Sequence, residues 1–244
     1  MRSGTQFCPG CGQALAASAA TPERISAQVS GARFVENWRE LKRVGWLFGL
    51  LLASSFVFGL ASRGDSSPWS TVVVSAIDAA IVLVAVALRY RKLLFLFKFH
   101  PAKPRGTAKL VAIAFLFVSG ASVYFWALGR LGVPVEPATA TFTRAGWPLW
   151  AMILLISVMP AVFEELAFRG VIQSSLERVL NARDAWLIQG ALFSVLHLSP
   201  LVFPSHFLMG LCFGYMRRLS RSVYPGMLLH AAWNALVVFQ ELPA

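Results

Sequence analysis

Seven long, predominantly apolar stretches constrain this chain more than any other feature. They run over 44–62, 69–88, 110–128, 147–180, 185–198, 203–216 and 223–239. A helix needs about 20 apolar residues to cross a bilayer, fewer where the bilayer thins or the ends snorkel. Lipid offers no partner to a backbone N–H or C=O, so such stretches must close their own hydrogen bonds as helices. The sequence therefore predicts an all-α fold, a polytopic transmembrane helix bundle of about seven spans. The fifth and sixth stretches are short. The fourth is long, and Pro160 predicts a kink in it. Composition agrees, with 57% hydrophobic and 14% charged among 244 residues, against about 25% charged in a soluble domain.

The net charge of +11 would suit a nucleic-acid partner, but the basic residues are distributed otherwise. Arg33, Arg39, Lys42 and Arg43 precede the first stretch. Arg89, Arg91, Lys92, Lys98, Lys103, Arg105 and Lys109 lie between the second and third. Arg178 and Arg183 follow the fourth, and Arg217, Arg218 and Arg221 follow the sixth. The alternate loops hold Arg63, Arg130 and Arg144. By the positive-inside rule the N-terminus is expected in the cytoplasm and the C-terminus outside. The charge then reads as membrane orientation and contact with anionic lipid, with no nucleic-acid partner. The expected location is a cell membrane, as a multi-pass protein.

The polar N-terminus lacks the apolar core of a cleavable signal peptide. Residues 12–32, rich in Ala, Ser, Thr and Gly, read as a flexible linker. Residues 95–105, basic and aromatic with two prolines, are expected at the membrane interface. Trp46, Trp69, Trp147 and Tyr224, near span ends, suit an interfacial aromatic belt. Three parts are expected: a cytoplasmic segment 1–43, membrane helices over 44–130, and a third part over 145–240 that carries the chemistry.

Cys8 and Cys11 in Phe7-Cys8-Pro9-Gly10-Cys11-Gly12 resemble one knuckle of a zinc ribbon. A closed structural zinc site needs four ligands, and the second pair is missing. A degenerate remnant, a zinc site shared between two chains, and a redox pair are the three readings. A cytosolic location disfavours a stable disulfide.

Glu164 and Glu165 follow the apolar run 147–163, with Arg169 four residues further on. A charge at bilayer depth costs a few kcal/mol or more, so intramembrane acids tend to be paired and functional. At 1.5 Å per residue, Glu164 lies about 21 Å from Arg178 and His197 about 20 Å from Asp184. Asn234 lies about 20 Å, and His230 about 14 Å, from Arg221. Polar groups on three helices thus fall in one layer. Residues four apart share a helix face. Arg169 can therefore neutralise Glu165, a pairing that would also serve packing, while Glu164 points about 100° away and is left free. His230 with Asn234, and Phe193 with His197, are further pairs of this spacing.

Two chemical schemes fit these residues. Glu164 could act as general base on a water held by His197, with His230 and Asn234 stabilising an oxyanion. Alternatively His197, His230 and Glu164 could hold a divalent metal such as zinc that activates the water. Asp78, about 16 Å from Arg89, lies at a similar depth and is expected to hydrogen-bond structurally. His206 is read in the same way.

Glu164-Glu165-x-x-x-Arg169, Phe193-x-x-x-His197 and His230-x-x-x-Asn234 resemble the three motifs of the CPBP family. These are the CAAX-processing and bacteriocin-processing intramembrane proteases, also called the Abi family. The sequence around Ser222–Asn234 and the pair Gly210-x-x-x-Gly214 are similar too, the small residues permitting close helix approach. The resemblance covers residues of about 145–240. It implies a helical bundle with a catalytic cavity, an endopeptidase acting on a membrane peptide or protein substrate, and Glu164 as the group that activates water. Glu165 and Arg169 would support it. A non-catalytic scaffold or immunity protein is the rival reading. A proton-coupled transporter using Asp78, Glu164, Glu165 and Arg169 is another, weakened by the lack of paired broken helices in matching halves.

Overall fold

The computed structural model describes residues 22–61, 67–98 and 104–242, with side chains over 30–60, 67–98 and 105–242. Cys8 and Cys11 lie outside the described residues. Two compact units divide the chain, Met1–Arg39 and Glu40–Ala244. The described part of the first is helical. The whole candidate site belongs to the second.

The principal helices are α1 (Pro22–Ala61), α2 (Pro68–Ala87), α3 (Pro104–Arg130), α4 (Leu149–Val179), α5 (Ala182–Leu196), α6 (Phe203–Ser220) and α7 (Tyr224–Glu241). No strand occurs among the described residues. The linker expected over 12–32 is helical from Pro22 onward, continuous with the apolar span that follows it. Local sequence sets the helix starts. Proline occupies the first turn of α2, α6 and α7, where its missing N–H costs nothing. Ser67 caps α2 by accepting from the Trp69 amide at 3.3 Å. Asn181 caps α5 by accepting from the amides of Arg183 and Asp184 at 3.1 and 3.0 Å.

Among the described residues the seven apolar stretches are largely helical, and four helices are long and apolar enough to cross a membrane: Ser30–Leu60, Pro68–Ala87, Arg105–Arg130 and Leu149–Val179. The expectation of about seven crossings is met for these four. The other three have 15, 18 and 18 residues, about 22 to 27 Å of helix against a hydrocarbon core of about 30 Å. They also carry the polar groups of the candidate site, which lowers their apolarity. The four long helices turn large side chains outward, among them Trp46, Phe115, Trp126 and Trp150, each at least 67% exposed. Outward apolar faces of this extent fit lipid rather than water. The Trp69 and Trp147 rings meet edge-on at 5.2 Å, so α2 and the approach to α4 begin at one level.

Helix α4 packs against α2, α5, α6 and α7. It is not a uniform α-helix, because Ile153–Val158 and Leu166–Ile172 form π turns on either side of Pro160. Such turns are rare and concentrate at functional sites. Helices α5 and α6 meet backbone to backbone. A Cβ on Gly210 would lie 2.7 Å from Gly190 Cα, and one on Gly214 would lie 2.4 Å from Gln189 Nε2. Gln189 Nε2 donates to the Gly210 carbonyl at 2.7 Å, and the Trp186 indole to that of Leu211 at 2.7 Å. Close approach through small residues replaces the hydrophobic driving force that lipid cannot supply.

Overpacking of this kind typically costs about 1–3 kcal/mol. Gly210→Ala should therefore lower the thermal unfolding midpoint in detergent. Gly45→Ala, where the added methyl meets nothing within 4 Å, should leave it unchanged. Equal midpoints for the two variants would contradict the close α5–α6 packing.

Candidate active site

Glu165 and Arg169 are completely buried, and Arg169 NH1 lies 2.8 Å from Glu165 Oε1. Burying two charges costs several kcal/mol per ion before their attraction is counted, so the surroundings must hold the pair closely. Arg169 NH2 donates to the Met209 carbonyl of α6 at 3.3 Å. The guanidinium carbon lies 4.4 Å from the Phe193 ring centroid on α5 and 5.4 Å from that of Phe213 on α6, within cation–π range. Glu165 is pressed from the other side by α7, where a Cβ on Gly226 would come within 2.6 Å of its Oε2. One side-chain pair thus gathers α4, α5, α6 and α7.

His230 of α7, also buried, stands between the adjacent acids. Its Nε2 is 3.8 Å from Glu164 Oε2 and its Nδ1 is 3.5 Å from Glu165 Oε1. His197 ends α5. Its Nδ1 lies 3.0 Å from the Phe193 carbonyl. A carbonyl can only accept, so that nitrogen carries the proton and Nε2 presents a lone pair. Phe193 joins the two imidazoles, with ring centroids 5.2 Å from His197 and 6.2 Å from His230. His206 packs on His197 at 3.8 Å between centroids, and its Nδ1 is held by the Val202 carbonyl at 2.9 Å. It braces the His197 ring, a role sequence position alone did not indicate.

A cavity of about 380 Å³ is lined by Glu164, His197 and Asp78, with apolar walls from α1, α2, α4 and α5. Glu164 Oε2 is buried without a hydrogen-bond partner. Asp78 Oδ1 is likewise buried and unpartnered. Asp78, expected to hydrogen-bond structurally, lines the cavity. The depth coincidence in the sequence was the available signal. A linear sequence did not show that α2 packs along α4 and turns that residue inward.

Asn234 is placed differently from the other motif residues. Its Nδ2 donates to the Ile156 carbonyl of α4 at 3.0 Å. Ile156 precedes Pro160 by four residues, and Pro160 has no N–H to return to that carbonyl. Asn234 therefore gives that carbonyl a side-chain donor within the π turn. Ser157 Oγ donates to the Ala231 carbonyl at 2.7 Å beside it, so two hydrogen bonds staple α7 to the first π turn of α4. The carboxamide keeps a second N–H uncommitted to this bond.

Two histidines and a glutamate form a zinc-type donor set. Among the described residues, however, no three His, Cys, Asp or Glu side chains gather closely enough to hold a metal ion.

A helical bundle with membrane-crossing spans, a buried ion pair and a cavity shared by a carboxylate and an imidazole defines a membrane protein with a candidate hydrolytic site. A family model described as type II CAAX prenyl endopeptidase Rce1-like matches residues 146–236. Over this segment, less than half of the chain, the sequence is similar to the CAAX-type protease family. The four helices long and apolar enough to cross a membrane support an integral membrane protein. The matched segment contains Glu164, Glu165, Arg169, His197, His230 and Asn234, and excludes Asp78. No curated protein and no solved structure matches the chain.

Leaving the Ile156 carbonyl without its side-chain donor should cost about 1–3 kcal/mol. Asn234→Ala is expected to destabilise the protein by that amount, measured by chemical unfolding in micelles. An unfolding free energy equal to that of the wild type would disprove that this bond holds α7 to α4.

Proposed function

We propose that the protein hydrolyses a peptide bond within a membrane-associated peptide or protein, with Glu164 as general base. The observation that carries this reading is that Glu164 and His197 line one cavity while His230 stands 3.8 Å from Glu164. The His197 Nε2 lone pair accepts a hydrogen bond from the attacking water. Glu164 removes its proton as the oxygen adds to the substrate carbonyl. His230, and the spare N–H of Asn234, donate to the oxyanion of the tetrahedral intermediate. Collapse of that intermediate breaks the C–N bond, and Glu164 returns the proton to the leaving amine. Glu165 and Arg169 touch no reacting atom in this scheme. They position His230 and the α4 backbone.

No step here is routed through a metal. A zinc ion held by His197, His230 and Glu164 is the alternative way to activate the water, and loss of cleavage on chelation with recovery on added zinc would favour it. We further propose that the N-terminus faces the cytoplasm, on the sorting of Lys and Arg between alternate loops. The substrate is then presented at the bilayer, and lipid is the standing partner.

Removal of a general base costs about 10²–10⁴ in rate. Membranes from cells carrying Glu164→Gln or His197→Ala should lack a set of peptides that wild-type membranes contain, with both variants folded and inserted at wild-type levels. Identical peptide sets would overturn the assignment and leave the scaffold reading. Solute flux in proteoliposomes that depends on Glu164, without cleavage, would instead establish transport.

A further inference from the structure

A second cavity lies between α1 and α2, far along the sequence from the motif residues. It has a volume of about 280 Å³ and apolar walls that include Leu47, Leu50, Ile81 and Val84, with Val171 of α4 as its floor. Arg43 and Arg89 line it as well. Leu50 is seven residues beyond Arg43, and Ile81 eight before Arg89, so the wall runs about 10 Å from the basic end into the bilayer.

The basic end is built around Glu40, which is completely buried. Arg43 NH1 lies 2.9 Å from its Oε1, Arg89 NH1 2.5 Å from its Oε2, and Lys92 Nζ 3.9 Å from its Oε1. Three cations against one carboxylate leave a surplus of two positive charges. Arg89 is only 5% exposed, yet its Nε and NH2 have no hydrogen-bond partner. A buried guanidinium with unused N–H groups calls for an anion, because unpaired buried donors are costly and the fork geometry suits a phosphate. Beside the groove, Trp46 and Leu88 are 71% and 82% exposed. A free anion would satisfy the guanidinium but not the apolar wall, and a plain hydrocarbon would do the reverse. An amphiphile with an anionic head satisfies both.

We propose that this groove binds one anionic phospholipid, its phosphate on Arg89 and Arg43 and one acyl chain along the α1–α2 wall. The site is independent of the proteolytic reading. Its floor, Val171, belongs to the same π turn as Arg169, so a bound lipid braces the backbone that carries the buried ion pair.

The test uses the full chain in detergent, with lipid retention counted by native mass spectrometry. Each basic residue near a membrane surface is worth about 1 kcal/mol toward anionic lipid, so phosphatidylglycerol should be retained about tenfold or more over phosphatidylcholine. Arg43→Gln leaves the Glu40–Arg89 pair in place, and Ala85→Trp fills the groove without touching a charge. Arg43→Gln should cut the preference about fivefold and Ala85→Trp should abolish it, each leaving the unfolding midpoint in phosphatidylcholine unchanged. Inorganic phosphate at matched ionic strength should not stabilise the wild-type protein. Equal retention of the two lipids, a preference undiminished in either variant, or stabilisation by phosphate alone equal to that by phosphatidylglycerol would each overturn the proposal.

Discussion

The buried contact between Glu165 and Arg169 is the constraint on which the rest of the α4–α7 bundle depends. Two ions removed from water do not stabilise a fold by themselves, because desolvation offsets most of their attraction. What keeps them in place is how closely their surroundings fit. The guanidinium is held by a carbonyl of α6 and by rings from α5 and α6, and the carboxylate by the first turn of α7, where only hydrogen fits at Gly226. Shifting any of these helices would strand a charge. The pair therefore acts less as a source of stability than as a gauge of register among four helices, and that register sets where His197 and His230 stand.

Helix α4 shows how the chain tolerates irregular backbone at membrane depth. Non-helical or loosened turns survive there only where protein groups replace the missing hydrogen bonds. Pro160 removes a backbone donor from this stretch, and the Asn234 carboxamide of α7 donates to the Ile156 carbonyl within it. The asparagine therefore has a structural reason to sit four residues after His230, apart from any catalytic one. This coupling also explains why the loosened helix stays docked, since the bond that repairs α4 is the bond that attaches α7.

Much of the candidate site was legible in the sequence because its pairs are local. Spacings of four residues put Arg169 beneath Glu165 and Phe193 beneath His197, and helical periodicity needs no tertiary knowledge to show it. The hidden contacts all lie between helices. Neither the Ile156 partner of Asn234 nor the stacking of His206 on His197 follows from a single-helix pattern. The inward turn of Asp78 depends on which face α2 presents to α4, and its flanking residues are apolar all round, so the pattern gives no face. Three shorter helices, read from hydropathy as crossings, fall below the length and apolarity that mark a crossing by themselves, because they carry the polar groups of the candidate site.

Adjacent carboxylates on one helix would ordinarily be poor design at bilayer depth, and their different surroundings resolve the difficulty. Glu165 is met by Arg169, while Glu164 is rotated about one hundred degrees away into a cavity with an oxygen that no donor satisfies. Where two titratable groups sit in opposed environments, their roles divide accordingly. Arg169 is turned to Glu165 and pinned between two rings, so it is not available to quench its neighbour. The contact left to Glu164 is His230, at a distance that suits an intervening group better than a direct bond. An acid oxygen that no donor satisfies, 3.8 Å from an imidazole and lining a cavity of about 380 Å³, is the geometry on which the proposal of Glu164 as general base rests.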